Sequence, residues 1–168
     1  LKKSESFSRW WARYLFYIQK VQGQSIDSHF VQSAFEQACL GQRSLDDLLK
    51  INLEVFFEGA LSPFDRKNFQ KLVPDSLPLG GDRRTRVYYE GENAPFVEVK
   101  IQHAFAWEKT PKVGNNELVT VVLLAPNMRP AQVTKDLEGF WSGSYSDVRK
   151  ELKARYPKHD WPEPKTKK

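Results

Sequence analysis

Two sets of residues in this chain have the types and spacing that chemistry needs. The first is Pro74-Asp75 followed by Val97-Glu98-Val99-Lys100. Carboxylates in this order can hold magnesium beside a lysine that assists an attacking water, which is nuclease chemistry. Glu98 and Lys100, two residues apart, leave the same side of a strand. The second set is cationic: Arg149, Lys150, Lys153, Arg155 and Lys158, with His159 beside them and Tyr145, Tyr156 and Trp161 interleaved. Cations along a helix and tail can follow a phosphate backbone, and aromatic rings can stack on unpaired bases.

Each set also has a plainer use. If Arg84 to Glu90 and Phe96 to Gln102 are the arms of a hairpin around Gly91-Glu92-Asn93, Arg86 falls opposite Glu98. A cross-strand ion pair on a wet face then accounts for the carboxylate without a metal. Histidine chemistry is thin, because His29, His103 and His159 are far apart and show no zinc-binding spacing. Tyr145, Tyr156 and Trp161 read as pegs that fix Pro157 to Pro164 against the fold, and His159 as a hydrogen-bonded anchor of the same segment. Gly80-Gly81, followed by Asp82, reads as a turn. No glycine-rich loop ending in Gly-Lys-Ser/Thr and no Asp-Glu-x-His segment is present. No catalytic residue, cofactor site or metal ligand is therefore assigned to this chain.

Charge separates the two sets. Up to Val148 there are 18 Lys or Arg against 18 Asp or Glu, whereas from Arg149 onward there are eight against three. The net charge of +5 thus resides in the last twenty residues, a footprint suited to a polyanion. With 40% hydrophobic and 13% aromatic residues the chain can build a packed core. No apolar stretch approaches a membrane span, and a cytoplasmic setting is expected. Cys39 is alone, excluding a disulfide framework, and its neighbours Phe35 and Ala38 predict a buried thiol.

Positioning falls to helices, then strands, then helices, an α+β order. Phe7, Trp10, Trp11, Tyr14, Leu15, Ile18 and Val21 form an amphipathic stripe that ends near Gly23. A second helix is predicted over residues 28–40, with Phe30, Val31, Ala34, Phe35 and Ala38 inward. Ser44 and Asp47 form a capping box opening a helix with Leu45, Leu48, Leu49, Leu53 and Phe56 on one side. Ser62-Pro63 starts a fourth helix, closed by Pro74. Beyond it, Thr85, Val87 and Tyr89 share a face with Val97, Val99 and Ile101, and Arg84, Arg86, Glu98 and Lys100 occupy the other. Leu118 to Ala125 is an apolar run predicted to be an interior strand after the Gly114-Asn115-Asn116 turn. Thr134 is expected to cap a helix burying Leu137, Phe140 and Trp141. Ser144 and Asp147 should open a last helix with Val148, Leu152 and Tyr156 inward. The expected organisation is a helical part over 1–73, packed with a part over 74–168 that contains a small, mostly antiparallel sheet and two C-terminal helices.

The C-terminal run resembles the signature of the HrpB family, bacterial ATP-dependent helicases of the DEAH/RHA type. The resemblance rests on Arg129-Pro130-Ala131-Gln132-Val133-Thr134, Asp136-Leu137, Phe140-Trp141, Ser144-Tyr145, Arg155-Tyr156-Pro157-Lys158-His159 and Trp161-Pro162-Glu163-Pro164. Weaker echoes are Val121 to Pro126, Thr110-Pro111, Ile101-Gln102 and Val73-Pro74-Asp75. The family usually reads Gln-Glu-Leu-Phe-Gly where this chain has Gln102-His103-Ala104-Phe105-Ala106, so no role of that acid carries over. The family keeps no acid and lysine at Glu98 and Lys100, which weakens the nuclease reading.

The resemblance implies an accessory domain of an ATP-dependent RNA helicase that buttresses the core, contacts nucleic acid and has no catalytic motif of its own. ATP and Mg would belong to the parent's motor. Implied partners are the helicase core itself and single-stranded RNA or DNA, contacted through Arg149, Lys150, Lys153, Arg155, Lys158 and His159. The alternative is a protein-interaction module that docks an unknown partner through the Pro/aromatic tail, Tyr156 to Pro164. The chain opens without methionine inside helical sequence and is expected to be a piece of a longer protein.

Overall fold

In the first helix the burial pattern departs from the expected stripe. The computed structural model describes residues 2–91 and 94–163, with side chains from residue 5. Helix α1 (Lys2–Phe16) runs into a π-helical turn (Tyr17–Val21), where Gln22 N–H reaches the Tyr17 carbonyl at 3.1 Å. The wider turn rotates the register, so that Phe16, Tyr17 and Ile18 are all buried in succession. A 3.6-residue periodicity cannot anticipate such a run.

The chain divides into two compact units, Leu1–Pro74 and Asp75–Lys168. The first contains α1 and four further helices: α2 (Ser28–Cys39), α3 (Leu45–Lys50), α4 (Leu53–Ala60) and α5 (Pro63–Leu72). Asp27 caps α2 and Ser62 caps α5 through its hydroxyl, which accepts from Asp65 N–H at 3.0 Å. Trp10 is the centre of the core, 5.2 Å from Tyr14 and 5.6 Å from Phe69. Arg13 closes the end of α5: its guanidinium lies 4.8 Å over the Phe69 ring and donates to the Val73 carbonyl.

Three expectations for this unit are corrected. The helix opened by Ser44 breaks at Ile51, which is extended, so α3 and α4 are separate. Phe57 rather than Phe56 is fully buried, and Leu45 and Leu49 are 79% and 80% exposed. Cys39 is exposed, because α2 buries Ala34 and Ala38 and turns Phe35 and Cys39 outward.

The second unit is built on a five-stranded sheet in the order β1 (Ser76–Pro78), β2 (Arg84–Tyr88), β3 (Phe96–Lys100), β6 (Thr120–Leu124), β7 (Pro130–Thr134). A small hairpin of β4 (Lys112–Val113) and β5 (Glu117–Leu118) stands apart around the Gly114 turn. All neighbours in the main sheet are antiparallel except β3 and β6, which are parallel. The parallel pair makes β6 interior, as its apolar run predicts. Val87, Val97 and Val99 are buried on one face, and Tyr89 and Ile101, just past the ends of β2 and β3, are buried as well. The Gly80-Gly81 turn forms as expected, with both glycines at positive φ.

The ends of these elements differ from expectation. Strand β3 stops at Lys100, and Ile101–Ala104 is a single helical turn, α6. Glu92 and Asn93 of the expected hairpin turn lie outside the described residues. Residues 130–134 form β7, so Thr134 is not a helix cap; its hydroxyl accepts from Asp136 N–H at 2.9 Å. Asp136 caps α7 (Leu137–Ser142) by accepting from Gly139 N–H at 2.9 Å, and a Cβ at position 139 would collide with that carboxylate. Ser144 precedes α8 (Tyr145–Arg155) in helical geometry with no side-chain cap, so the expected capping box is absent there. Leu137, Phe140 and Trp141 are buried together as predicted, and the Trp141 indole donates to the Trp107 carbonyl at 3.0 Å. Thr110 ties these parts together: its hydroxyl donates to the Lys135 carbonyl and accepts from Leu137 N–H.

Candidate nucleic-acid interface

Helix α8 and the segment after it form one clamp. Pro157 cannot continue the helix, and the chain folds back along α8. His159 N–H and the Trp161 indole both end on the Tyr156 carbonyl, at 3.2 and 3.0 Å. Returning past the helix, the chain meets the Tyr145 hydroxyl, which donates to Pro162 O at 2.9 Å, and Arg149 Nε, which donates to Trp161 O at 3.0 Å. The Arg149 guanidinium also pairs with the Glu163 carboxylate. Tyr145 is fully buried, and this burial, helped by Glu163 and Asp160 against Arg149, pushes its phenol up to about 12.

Tyr145 and Trp161 are therefore pegs, as expected, and Tyr156 is half-buried. Packed in this way, Tyr156 to Glu163 is not presented as a free extended ligand. Pro164 lies outside the described residues.

The six basic candidates do not share one surface. Arg149 has a side chain only 18% exposed and is engaged by the tail. Lys150 and Lys153 flank one side of α8, with Lys150 3.6 Å from Asp147. Arg155 projects from the other side, 3.4 Å from Glu151. Lys153, Lys158 and His159 are exposed, and the His159 ring sits edge-on to both Tyr156 and Trp161.

The acidic set lies at the surface. Asp75 and Glu98 are both exposed, and among the described residues no group of three His, Cys, Asp or Glu could hold an ion. The register of β2 and β3, with Val87 against Val97 and Tyr88 against Phe96, is the expected one. The predicted Arg86–Glu98 ion pair is absent among the described residues. The ladder ends before it, and the Thr85 hydroxyl donates to the Glu98 carbonyl at 2.9 Å instead. His103 is held below its ordinary pKa by burial, then by Arg83 and Lys100.

The residues overlooked on the sequence are Tyr88 and Phe96, half-buried on the sheet face opposite the core. Their rings stack with centroids 4.8 Å apart and planes 14° from parallel. Strand alternation from Arg86 would have placed them there. In the first unit, Phe35, Ala38, Cys39, Leu48 and Leu53 line an apolar cavity of about 320 Å³. It offers no converging polar groups to orient a substrate.

Residues 35–164 match the family described as ATP-dependent helicase C-terminal. The chain belongs to this family. The ATP-dependent RNA helicase HrpB of Escherichia coli (strain K12) is 31% identical over 144 residues, covering 83% of this chain and 18% of that protein. The crystal structure of the E. coli DExH-box NTPase HrpB superposes with a TM-score of 0.82 at 27% identity, over 95% of this chain and 21% of that one. A crystal structure of the E. coli DEAH/RHA helicase HrpB gives 0.71 at 25% identity, over 92% and 20%. The chain thus spans about a fifth of the relatives it matches. The family match begins at Phe35, inside α2, and so takes in much of the helical unit as well as the sheet.

Proposed function

We propose that this chain works as the C-terminal accessory part of an ATP-dependent RNA helicase. ATP and magnesium are handled elsewhere in the parent, in a cytoplasmic setting, while this part buttresses the motor and touches the nucleic acid. The match over residues 35–164 carries the reading. The contact runs along the exposed flank of α8 through Lys150 and Lys153, continued by Lys158. Arg149 and Tyr145 hold the flank in place rather than meeting the strand, because their polar atoms are engaged by the folded-back tail.

Fluorescence anisotropy on a labelled single strand at two salt concentrations tests this. The chain should bind weakly and without sequence preference. Lys150→Ala/Lys153→Ala should weaken all sequences equally and flatten the salt dependence by about 1.4 units of slope. Absence of binding at low salt would overturn the nucleic-acid contact.

A further inference from the structure

The sheet face of the second unit opposite its core carries a stacked aromatic pair and several charges. One paired row of it holds Tyr88, Phe96 and Thr120; the next on β3, β6 and β7 holds Glu98, Val122 and Val133, and a third holds Lys100 and Leu124, while Arg86 and Arg84 follow Tyr88 on the same side of β2 beyond the end of its ladder with β3. Buried strands face the core with Val87, Val97, Val99, Val121 and Leu123, whereas this side leaves Arg84, Arg86 and Glu98 exposed, Val133 50% exposed, Tyr88, Phe96, Lys100 and Val122 half-buried, and Thr120 and Leu124 buried. Half-buried stacked rings therefore stand on a face that is open along β2 and β3 and covered at both ends of β6, with Arg86 and Lys100 on the same side. Arg84 is held by Ser76, at 2.8 and 2.7 Å, but Arg86 and Lys100 have no such tether among the described residues.

We propose that this face is a second contact for single-stranded nucleic acid, in which unpaired bases lie against Tyr88 and Phe96 and the backbone runs past Arg86 and Lys100. The proposal rests on the nucleic-acid reading above but uses different residues. Rows two residues apart on a strand are separated by about 6.6–6.8 Å. That step suits an extended chain carrying one base and one phosphate per nucleotide. An aromatic surface accepts any base, so the face reads strandedness rather than sequence. The cations outnumber Glu98, the one acid in the three rows, which gives charge complementarity to a polyanion and little to an acidic-poor protein surface. Duplex is a poor occupant because its bases are already stacked and its grooves do not fit a flat sheet.

The anisotropy assay with sheet variants decides the matter, with circular dichroism confirming that each variant folds. Tyr88→Leu and Phe96→Leu keep apolar bulk and remove the stacking ring; each should weaken single-strand binding about tenfold with the salt slope unchanged. Arg86→Ala/Lys100→Ala should flatten the slope by about 1.4 units. Glu98→Gln, which cannot act by unfolding a core, should tighten binding. A strand carrying 2-aminopurine should lose fluorescence on binding the parent and recover it on Tyr88→Leu. Parental binding by the leucine variants, or equal affinity for duplex and single strand, overturns the sheet contact. If those variants bind as the parent while Lys150→Ala/Lys153→Ala binds poorly, the α8 contact stands alone. No binding by the parent itself overturns both.

Discussion

Arg149 lies about 40° around α8 from Tyr145, close to the buried side despite its charge. Its aliphatic stem packs inward while the guanidinium meets the Trp161 carbonyl and Glu163. Spacing alone put it among the free cations, because periodicity cannot tell a charged side chain that faces water from one that clasps a returning segment. Arg149→Ala should loosen the tail, costing about 1–2 kcal/mol and exposing Trp161 to iodide quenching. Lys153→Ala should change stability by less than about 0.5 kcal/mol. Tyr145 gives a second check. Its neutral phenol is favoured by folding, with the pKa raised from 10.0 to about 12, so its stabilisation is complete below pH 10 and is lost as pH rises towards 12. Tyr14 behaves alike, also rising to about 12, chiefly through burial. In an ultraviolet titration these two rings should ionise late, and Tyr145→Phe should remove part of the late step.

Among the elements, those with both a periodic stripe and sharp punctuation were readable in advance. Helix α5 had Ser62-Pro63 at one end and Pro74 at the other, and β6 had an unbroken apolar run. Capping chemistry failed where tertiary contacts decided: Thr134 belongs to a strand, and Asp136 takes over as cap because Gly139 leaves its carboxylate room. A string of leucines from Leu45 to Leu53 reads as one buried helix, yet Ile51 breaks it and leaves Leu45 and Leu49 in solvent. Leu45→Lys/Leu49→Lys should therefore leave the unfolding free energy, read from a denaturant titration, within about 0.5 kcal/mol of the parent. The face of α7 is the opposite case. Trp141 is 1% exposed, its ring centroid is 4.3 Å from that of Phe105 and its indole N–H is satisfied, so Trp141→Ala should cost about 3–5 kcal/mol. A denaturant midpoint near the parent's would show that the ring is dispensable.

For the molecule as an assembly of parts, the C-terminal signature carried more functional information than any single cluster of reactive side chains. Asp75, Glu98 and Lys100 are ordered along the chain like nuclease residues, yet both carboxylates stand exposed at the surface. The basic excess after Val148 was readable from composition; its division between a tail clamp and two flanks of α8 depended on the path of the chain after Pro157. We propose that this part serves a motor whose ATP-handling motifs are not among these 168 residues. The direct measurement is RNA-stimulated ATP hydrolysis by the longer family protein fitted with this C-terminal part, compared with its Lys150→Ala/Lys153→Ala form and with a version cut before residue 35. We predict that the double variant needs several-fold more RNA for half-maximal stimulation and that truncation needs more still, while the isolated chain hydrolyses no ATP. Identical stimulation in all three proteins, or ATP hydrolysis by the isolated chain, would contradict the account.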